Sequence, residues 1–325
     1  LSVYTIIGCC QRYCSVQQLC FKISLFLVLV PLLAKAQYDP SFSHYFDMPT
    51  SFNPAAAGKE AQLNVTGAYA MDLAGFEHNP QTMYLAADMP FYALKSYHGV
   101  GFQLLGDKLG AMTHQRLAGQ YAFQFRMLGG KMAVGLQVGL LSEKVDASRL
   151  DPAEANDPAL VGGNGSGVDF GVGLYYLHGP WYLEASAQHI NAPHIEFTST
   201  GELQIDATYY LTGGYNIRLR NPFLTVKPSV LLRSDGVGYR ADVTTRLVYT
   251  HEKRMLYGGI SYSPTISVTA LIGGSFHGIV LGYSYEYYTN GISAGNGSHE
   301  LFVGYKTDIN LAKKGHNRHQ SVRIL

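Results

Sequence analysis

Few residues in this 325-residue chain combine the types and spacing that chemistry requires. Two histidine pairs stand out, His189-Ile-Asn-Ala-Pro-His194 and His316-Asn-Arg-His319. A zinc site needs about three or four convergent ligands. Neither pair has a third ligand nearby, so both are expected to be solvated histidines, the first at a strand-loop junction and the second in a C-terminal tail. Asp151, Glu154 and Asp157 lie together in DPAEANDP. Calcium takes about six or more oxygens in a compact turn, so these acids read as a solvated loop. Gly162-Gly-Asn-Gly-Ser-Gly167 is glycine-rich. A phosphate cradle needs a strand before it and a helix after it. This stretch leads into a strand and reads as a flexible loop. No G-x-S-x-G nucleophile elbow occurs. The four cysteines, Cys9, Cys10, Cys14 and Cys20, all precede an expected cleavage site, which leaves the mature chain no thiolate. The expectation is a protein with no catalysis, no cofactor and no metal.

The N-terminus reads as a targeting segment. Lys22 precedes an apolar run, Ile23 to Leu33, and Ala34-Lys35-Ala36 follows as a small-x-small cleavage site. The run falls short of the roughly 20 residues of a membrane-spanning helix. Residues 1–36 are therefore expected to be a signal peptide, with the natural start near Phe21. Charged residues make up 14% of the chain, against about 25% in soluble domains. Much of the surface is thus expected not to face water, yet mean hydropathy is near zero. With 24 Tyr and 36 Gly, this composition fits a transmembrane β-barrel, where apolar and polar residues alternate and cancel. A formal net charge of +1 gives no electrostatic case for nucleic acid.

Period-2 alternation recurs in segments of about ten residues, as barrel strands require. In GIVLGYSYEYY, Ile279, Leu281, Tyr283, Tyr285 and Tyr287 oppose Gly278, Val280, Gly282, Ser284 and Glu286. Met132, Val134, Leu136, Val138 and Leu140 oppose Ala133, Gly135, Gln137 and Gly139. The pattern predicts an all-β fold, a transmembrane antiparallel β-barrel of about 14 strands over 62–307. The ninth strand holds Pro228, which predicts a bulge or a rim position. Long connections alternate with short ones, the longest running from Glu143 to Ser166 and the next from Asn191 to Gln204. This places the N-terminus and the short turns in the periplasm. A soluble β-sandwich also alternates, but normally carries a more charged outer face. The pairs Tyr175-Tyr176, Tyr209-Tyr210 and Tyr287-Tyr288 read as interface girdle aromatics rather than carbohydrate platforms. Residues 37–61 hold Pro40, Pro49 and Pro54 among Phe42, Tyr45, Phe46 and Phe52, which predicts a short non-strand plug. Residues 308–325 form a basic periplasmic tail carrying Lys313, Lys314, Arg318 and Arg323, candidates for contact with an acidic partner.

The stretch Gln37-Tyr-Asp-Pro-Ser-Phe-Ser-His-Tyr45 followed by Phe52-Asn-Pro-Ala-Ala-Ala-Gly58 resembles the opening of the PorP/SprF family. Gly99-Val-Gly-Phe102, Asp107-Lys-Leu-Gly110, Asp169-Phe-Gly-Val-Gly-Leu-Tyr-Tyr176, Lys227-Pro-Ser-Val-Leu-Leu232, Gly282-Tyr-Ser-Tyr-Glu286 and Gly297-Ser-His-Glu-Leu301 follow in the family's order. Two features depart from its pattern: Tyr38 is inserted before Asp39-Pro40, and the tail beyond Thr307 is long. The resemblance implies an outer-membrane component of the type IX secretion system of Bacteroidetes, related to gliding motility. Its implied partners are outer-membrane lipids, periplasmic ring and motor components, and cargo with a C-terminal sorting domain. Within the opening, Asp39, Pro40, Phe42, Tyr45, Phe52, Asn53 and Pro54 are the candidate plug or partner contacts. The alternatives are a general porin or small-solute channel, and a surface adhesin acting through the loop from Glu143 to Ser166.

Overall fold

The computed structural model describes residues 38–146, 162–197, 202–252, 254–291 and 296–309. The leader 1–36, the acids Asp151, Glu154 and Asp157, the pair His316 and His319, and Lys313, Lys314, Arg318 and Arg323 lie outside the described residues. The strands are β1 (Gln62–Met71), β2 (Gln81–Ala93), β3 (Ser96–Leu109), β4 (Met112–Met127), β5 (Gly130–Val145), β6 (Gly163–His178), β7 (Trp181–Gln188), β8 (His194–Glu196), β9 (Glu202–Gln204), β10 (Thr208–Tyr215), β11 (Ile217–Arg218), β12 (Leu224–Ser234), β13 (Tyr239–His251), β14 (Arg254–Ser263), β15 (Ser267–Phe276), β16 (Ile279–Tyr288) and β17 (Ser298–Asp308). Successive barrel strands pair antiparallel, β7 with β10 and both β10 and β11 with β12 among them, and β1 pairs with β17 from Gln62↔Asp308 to Met71↔His299, closing a cylinder of fourteen staves. β8 and β9 form a separate hairpin. Two further short 3-10 turns, Pro49–Ser51 and Pro54–Ala56, precede β1.

Alternation explains why these segments close into a barrel. Along β5, Val134, Leu136, Val138 and Leu140 are exposed, whereas Gly135, Gln137, Gly139 and Leu141 are buried. Successive side chains of a strand point to opposite faces, so the exposed apolar set faces lipid and the small or polar set faces the lumen. β10 and β11 make one stave, both pairing with β12 in a single register through Gly214↔Ser229 and Ile217↔Val226. Pro228 sits opposite Thr245 in an uninterrupted ladder to β13. The expected bulge is absent. Proline lacks an N–H, and on its other side no ladder pair forms opposite Pro228 between β10 and β11.

The connections 94–95, 128–129 and 277–278 lie at one end, together with residues 62 and 308; 72–80, 146–162 and 189–207 lie at the other. Short turns mark the periplasmic end of such barrels. The connection 189–207 proves slightly longer than 146–162, because β5 and β6 run past their expected ends. β3 to β6 are 14 to 16 residues long, more than the roughly 9–11 that cross a bilayer. Their overshoot builds a tall wall at the long-loop end. Gly163–Gly167, expected as a flexible loop, is the start of β6 in that wall.

Candidate functional site

The lumen is occupied by the segment 38–61, which descends from the long-loop end toward the short-turn end. Prolines and a capping asparagine shape it. Pro49 and Pro54 each open a 3-10 turn, and the Asn53 side chain accepts from the Ala55 N–H at 3.0 Å. At the outer end lies Asp39, 4% exposed. Its Oδ1 accepts from Arg116 at 3.3 Å and contacts His189 Nε2 at 3.2 Å; its Oδ2 accepts from the Tyr210 hydroxyl at 2.7 Å. Asp169 stands behind His189, Oδ1 to Nδ1 at 2.8 Å. Burial alone would raise the Asp39 carboxyl; His189, Arg116 and Tyr210 outweigh it and hold it well below the ordinary carboxylate range. Arg233 donates to the carbonyls of Asp39 and Pro40 at 2.9 and 3.2 Å. The Tyr38 hydroxyl meets His114 and Glu143.

Lower down, Glu300 accepts from the backbone N–H groups of Ser43 and His44 at 2.6 and 3.0 Å and contacts the His44 ring at 2.7 Å. The Tyr45 hydroxyl bonds Ser229 at 2.7 Å, and Phe52 stacks on Tyr210 at 5.5 Å. Phe42 and Met48 pack with Tyr84, Leu105 and Phe302. A relay of glutamines spans the wall: Gln103 and Gln120 both donate to Gln137, Gln137 to Gln188, and Gln188 to the Phe52 carbonyl, at 2.6 to 2.8 Å. At the lower end the Gly58 N–H donates to Asp88 at 2.9 Å. Buried polar groups require such partners, and the wall supplies them to the segment along its course.

Close approach of backbone to wall depends on glycine. A Cβ at Gly99 would sit 1.9 Å from the Ala57 carbonyl oxygen, one at Gly135 2.1 Å from the Ala55 nitrogen, and one at Gly173 1.9 Å from Asn53 Oδ1. Above Asp39 the β8–β9 hairpin folds inward. Ile195 and Ile205 are buried against Leu141, with Tyr38 beside them. A Cβ at Gly165 would come within 2.5 Å of the Glu196 carbonyl, so the glycines of β6 seat this lid.

The structure brings Asp39, Pro40, Phe42, Tyr45, Phe52, Asn53 and Pro54 together inside the barrel, all buried except half-buried Pro40. His189 is not a solvated histidine: it is fully buried between two carboxylates, because the chain leaving β7 turns into the lumen. His194 is exposed and pairs with Glu202 at 3.1 Å. The tyrosine pairs divide. Tyr209 and Tyr287 face outward, while Tyr210 and Tyr288 face inward to Asp39 and Ser298, as alternation demands. Of the wall's anchors, the sequence singles out neither Arg116 nor Arg233; Glu300 falls within a resemblance block, and Tyr210, expected in the interface girdle, faces the lumen instead. A charge on the small-residue face of a strand is the signal that would have found the ionic ones. Among the described residues no group of three His, Cys, Asp or Glu is arranged to hold a metal ion.

Residues 34–305 match the family model described as type IX secretion system membrane protein PorP/SprF. The chain belongs to the PorP/SprF family. The blocks that carry the family resemblance fall where wall meets segment: Gly99 on Ala57, Asp169 behind His189, Gly173 on Asn53, Ser229 on Tyr45, and Glu300 on His44. A comparison with curated proteins finds no match. Solved structures similar to this family member include the Pseudomonas putida toluene transporter TodX, with 11% identity over 83% of this chain and 95% of that one and a TM-score of 0.48. A Pseudomonas aeruginosa FadL homologue gives 12% identity, 79% and 92% coverage, and a TM-score of 0.48. BamA from Haemophilus ducreyi lacking POTRA domains 1–3 gives 9%, 75% and 70%, and 0.43.

Proposed function

We propose that this PorP/SprF member is a sealed outer-membrane barrel that serves the type IX apparatus by binding, in the export or surface attachment of proteins with C-terminal sorting domains. The observation that carries this reading is the occupied lumen. Asp39 is held from β4, β10 and the end of β7, and the β8–β9 hairpin covers it. A general porin needs a continuous aqueous path, and the occupied lumen speaks against one. The role so read is one of binding, with no reaction assigned to the barrel. Partners engage the two ends: periplasmic ring and motor components at the short-turn end, cargo at the long-loop end. Residues 1–36 act as the signal that delivers the chain.

Deletion of the gene, followed by mass spectrometry of secreted and surface proteins, tests the role. Loss of proteins bearing the sorting domain is expected, with restoration by the intact chain. Unchanged secretion and display would remove the type IX assignment. Planar-bilayer recording of the purified barrel is expected to be silent. Steady open conductance with the segment 38–61 in place would move the reading to a solute channel.

A further inference from the structure

Where the segment 38–61 leaves the barrel, the lumen widens into a cavity of about 670 Å³ at the short-turn end. Its roof is Gly58–Ala61, and its walls come from β2 to β6 and the 94–95 turn. Four cations line it: Lys59, Lys95, Arg126 and Lys131. The one acid in the lining, Glu60, is engaged by Lys306 at 3.1 Å. Lys59 lies 4.0 Å from Glu184. Among the described residues, no carboxylate pairs with Lys95, Arg126 or Lys131.

The charge placement resists a purely structural explanation. Arg126 and Lys131 are directly opposed across the β4–β5 ladder, and like charges so placed destabilise an antiparallel pair. The two-residue 94–95 turn, with the positive φ of 49° and 63° that a tight hairpin requires, carries Lys95 to the same rim. Tyr97 and Tyr175 add aromatic faces to the same walls.

We propose that this vestibule binds an acidic peptide segment, bearing aromatic or aliphatic side chains, from a periplasmic protein partner. The inference rests on the secretion reading and names where the periplasmic side engages. The cavity falls within the roughly 300–1,000 Å³ of sites that enclose a ligand, far more than one small anion fills. Lipid is screened out, because the β3–β4–β5 ladders run unbroken from Tyr97↔Gln124 and Met127↔Gly130. The chain's own C-terminal tail is excluded by sign, since Lys313, Lys314, Arg318 and Arg323 would meet cations. Acidic groups supply the missing partners for Lys95, Arg126 and Lys131, and the tyrosines accept apolar side chains between them.

The test uses the full mature chain in detergent and a fluorescein-labelled peptide of alternating glutamate and phenylalanine, read by anisotropy. The triple variant Lys95→Glu, Arg126→Glu, Lys131→Glu should weaken binding at least tenfold. A glutamine-for-glutamate peptide should fail to bind. Heat-modifiable gel migration checks that the barrel is folded, and the milder pair Arg126→Gln, Lys131→Gln serves if the triple variant is not. Unchanged affinity in the folded variants, equal binding of the glutamine peptide, or displacement of the probe by inorganic phosphate or phosphatidylglycerol vesicles would each overturn the proposal. The two readings fail separately. If gene deletion leaves secretion intact while the variants lose the peptide, the site stands without the secretion role. If deletion abolishes secretion and the variants bind the peptide normally, only the site falls.

Discussion

At Asp39 a guanidinium, an imidazole and a phenol meet one carboxylate. Removing one member of a buried ionic group costs about 3–5 kcal/mol, because its partners stay buried without compensation. Asp39→Ala is therefore expected to loosen the top of the segment by about that amount. The barrel should still migrate as a folded species, with intermittent conductance in a bilayer where the wild type is expected to be silent. A second acid gives a pH dependence. Asp72, in the 72–80 loop, is pushed up to about 7 by burial, with Glu286 and Glu300 adding to the rise and the Ser298 hydroxyl opposing it. A raised folded value means the folded state binds the proton more tightly. The docking of this loop is thus strongest below about pH 4, and weakens as pH rises toward 7. Hydrogen-exchange protection at residues 72–80, corrected for the intrinsic base-catalysed rate, should be greater at pH 5 than at pH 8; equal protection would show that Asp72 is solvated.

At the scale of elements, the strand faces carry opposite sensitivities. Gly135→Val is expected to displace the 3-10 turn at Pro54–Ala56, since even the first carbon collides with the Ala55 nitrogen. Overpacking of this kind costs about 1–3 kcal/mol. Gly119→Ala in β4, with nothing within 4 Å of the new carbon, should be neutral. A comparison of unfolding midpoints in detergent separates the two. The lid hairpin depends on Ile195, which is fully buried. Ile195→Asp should undock it and speed proteolysis within 190–206, whereas Ile195→Val should cost only about 0.5–1.5 kcal/mol. Alternation made the staves legible in sequence, because each must present one face to lipid. The prolines and aromatics of 37–58 likewise marked a segment that could be neither strand nor solvated loop. What stayed hidden depended on contacts distant in sequence. His189 looked solvated because a strand-loop junction does not reveal which way its chain turns. Gly163–Gly167 looked like a loop because glycine in a strand reads as flexibility until the hairpin it accommodates is in view. Arg116 and Asp39 lie 77 residues apart, and neither neighbourhood announces the other.

At the scale of the molecule, lipid faces and lumen invert the usual arrangement. The apolar side chains of the staves face outward, and the interior is ordered by carboxylates, glutamines and arginines, some paired along the wall and others holding the inserted segment. Deleting residues 38–56 is expected to leave a barrel that is less heat-resistant and conducts ions; retained silence would show that the connections at the long-loop end alone seal it. That segment also precedes β1 in the chain and lies beneath the β8–β9 lid, while the cylinder is closed by the first and last strands. The lid thus rests on the far tip of a segment whose root is β1 itself, one of the two strands at the seam, so loosening at either end should be felt at the other.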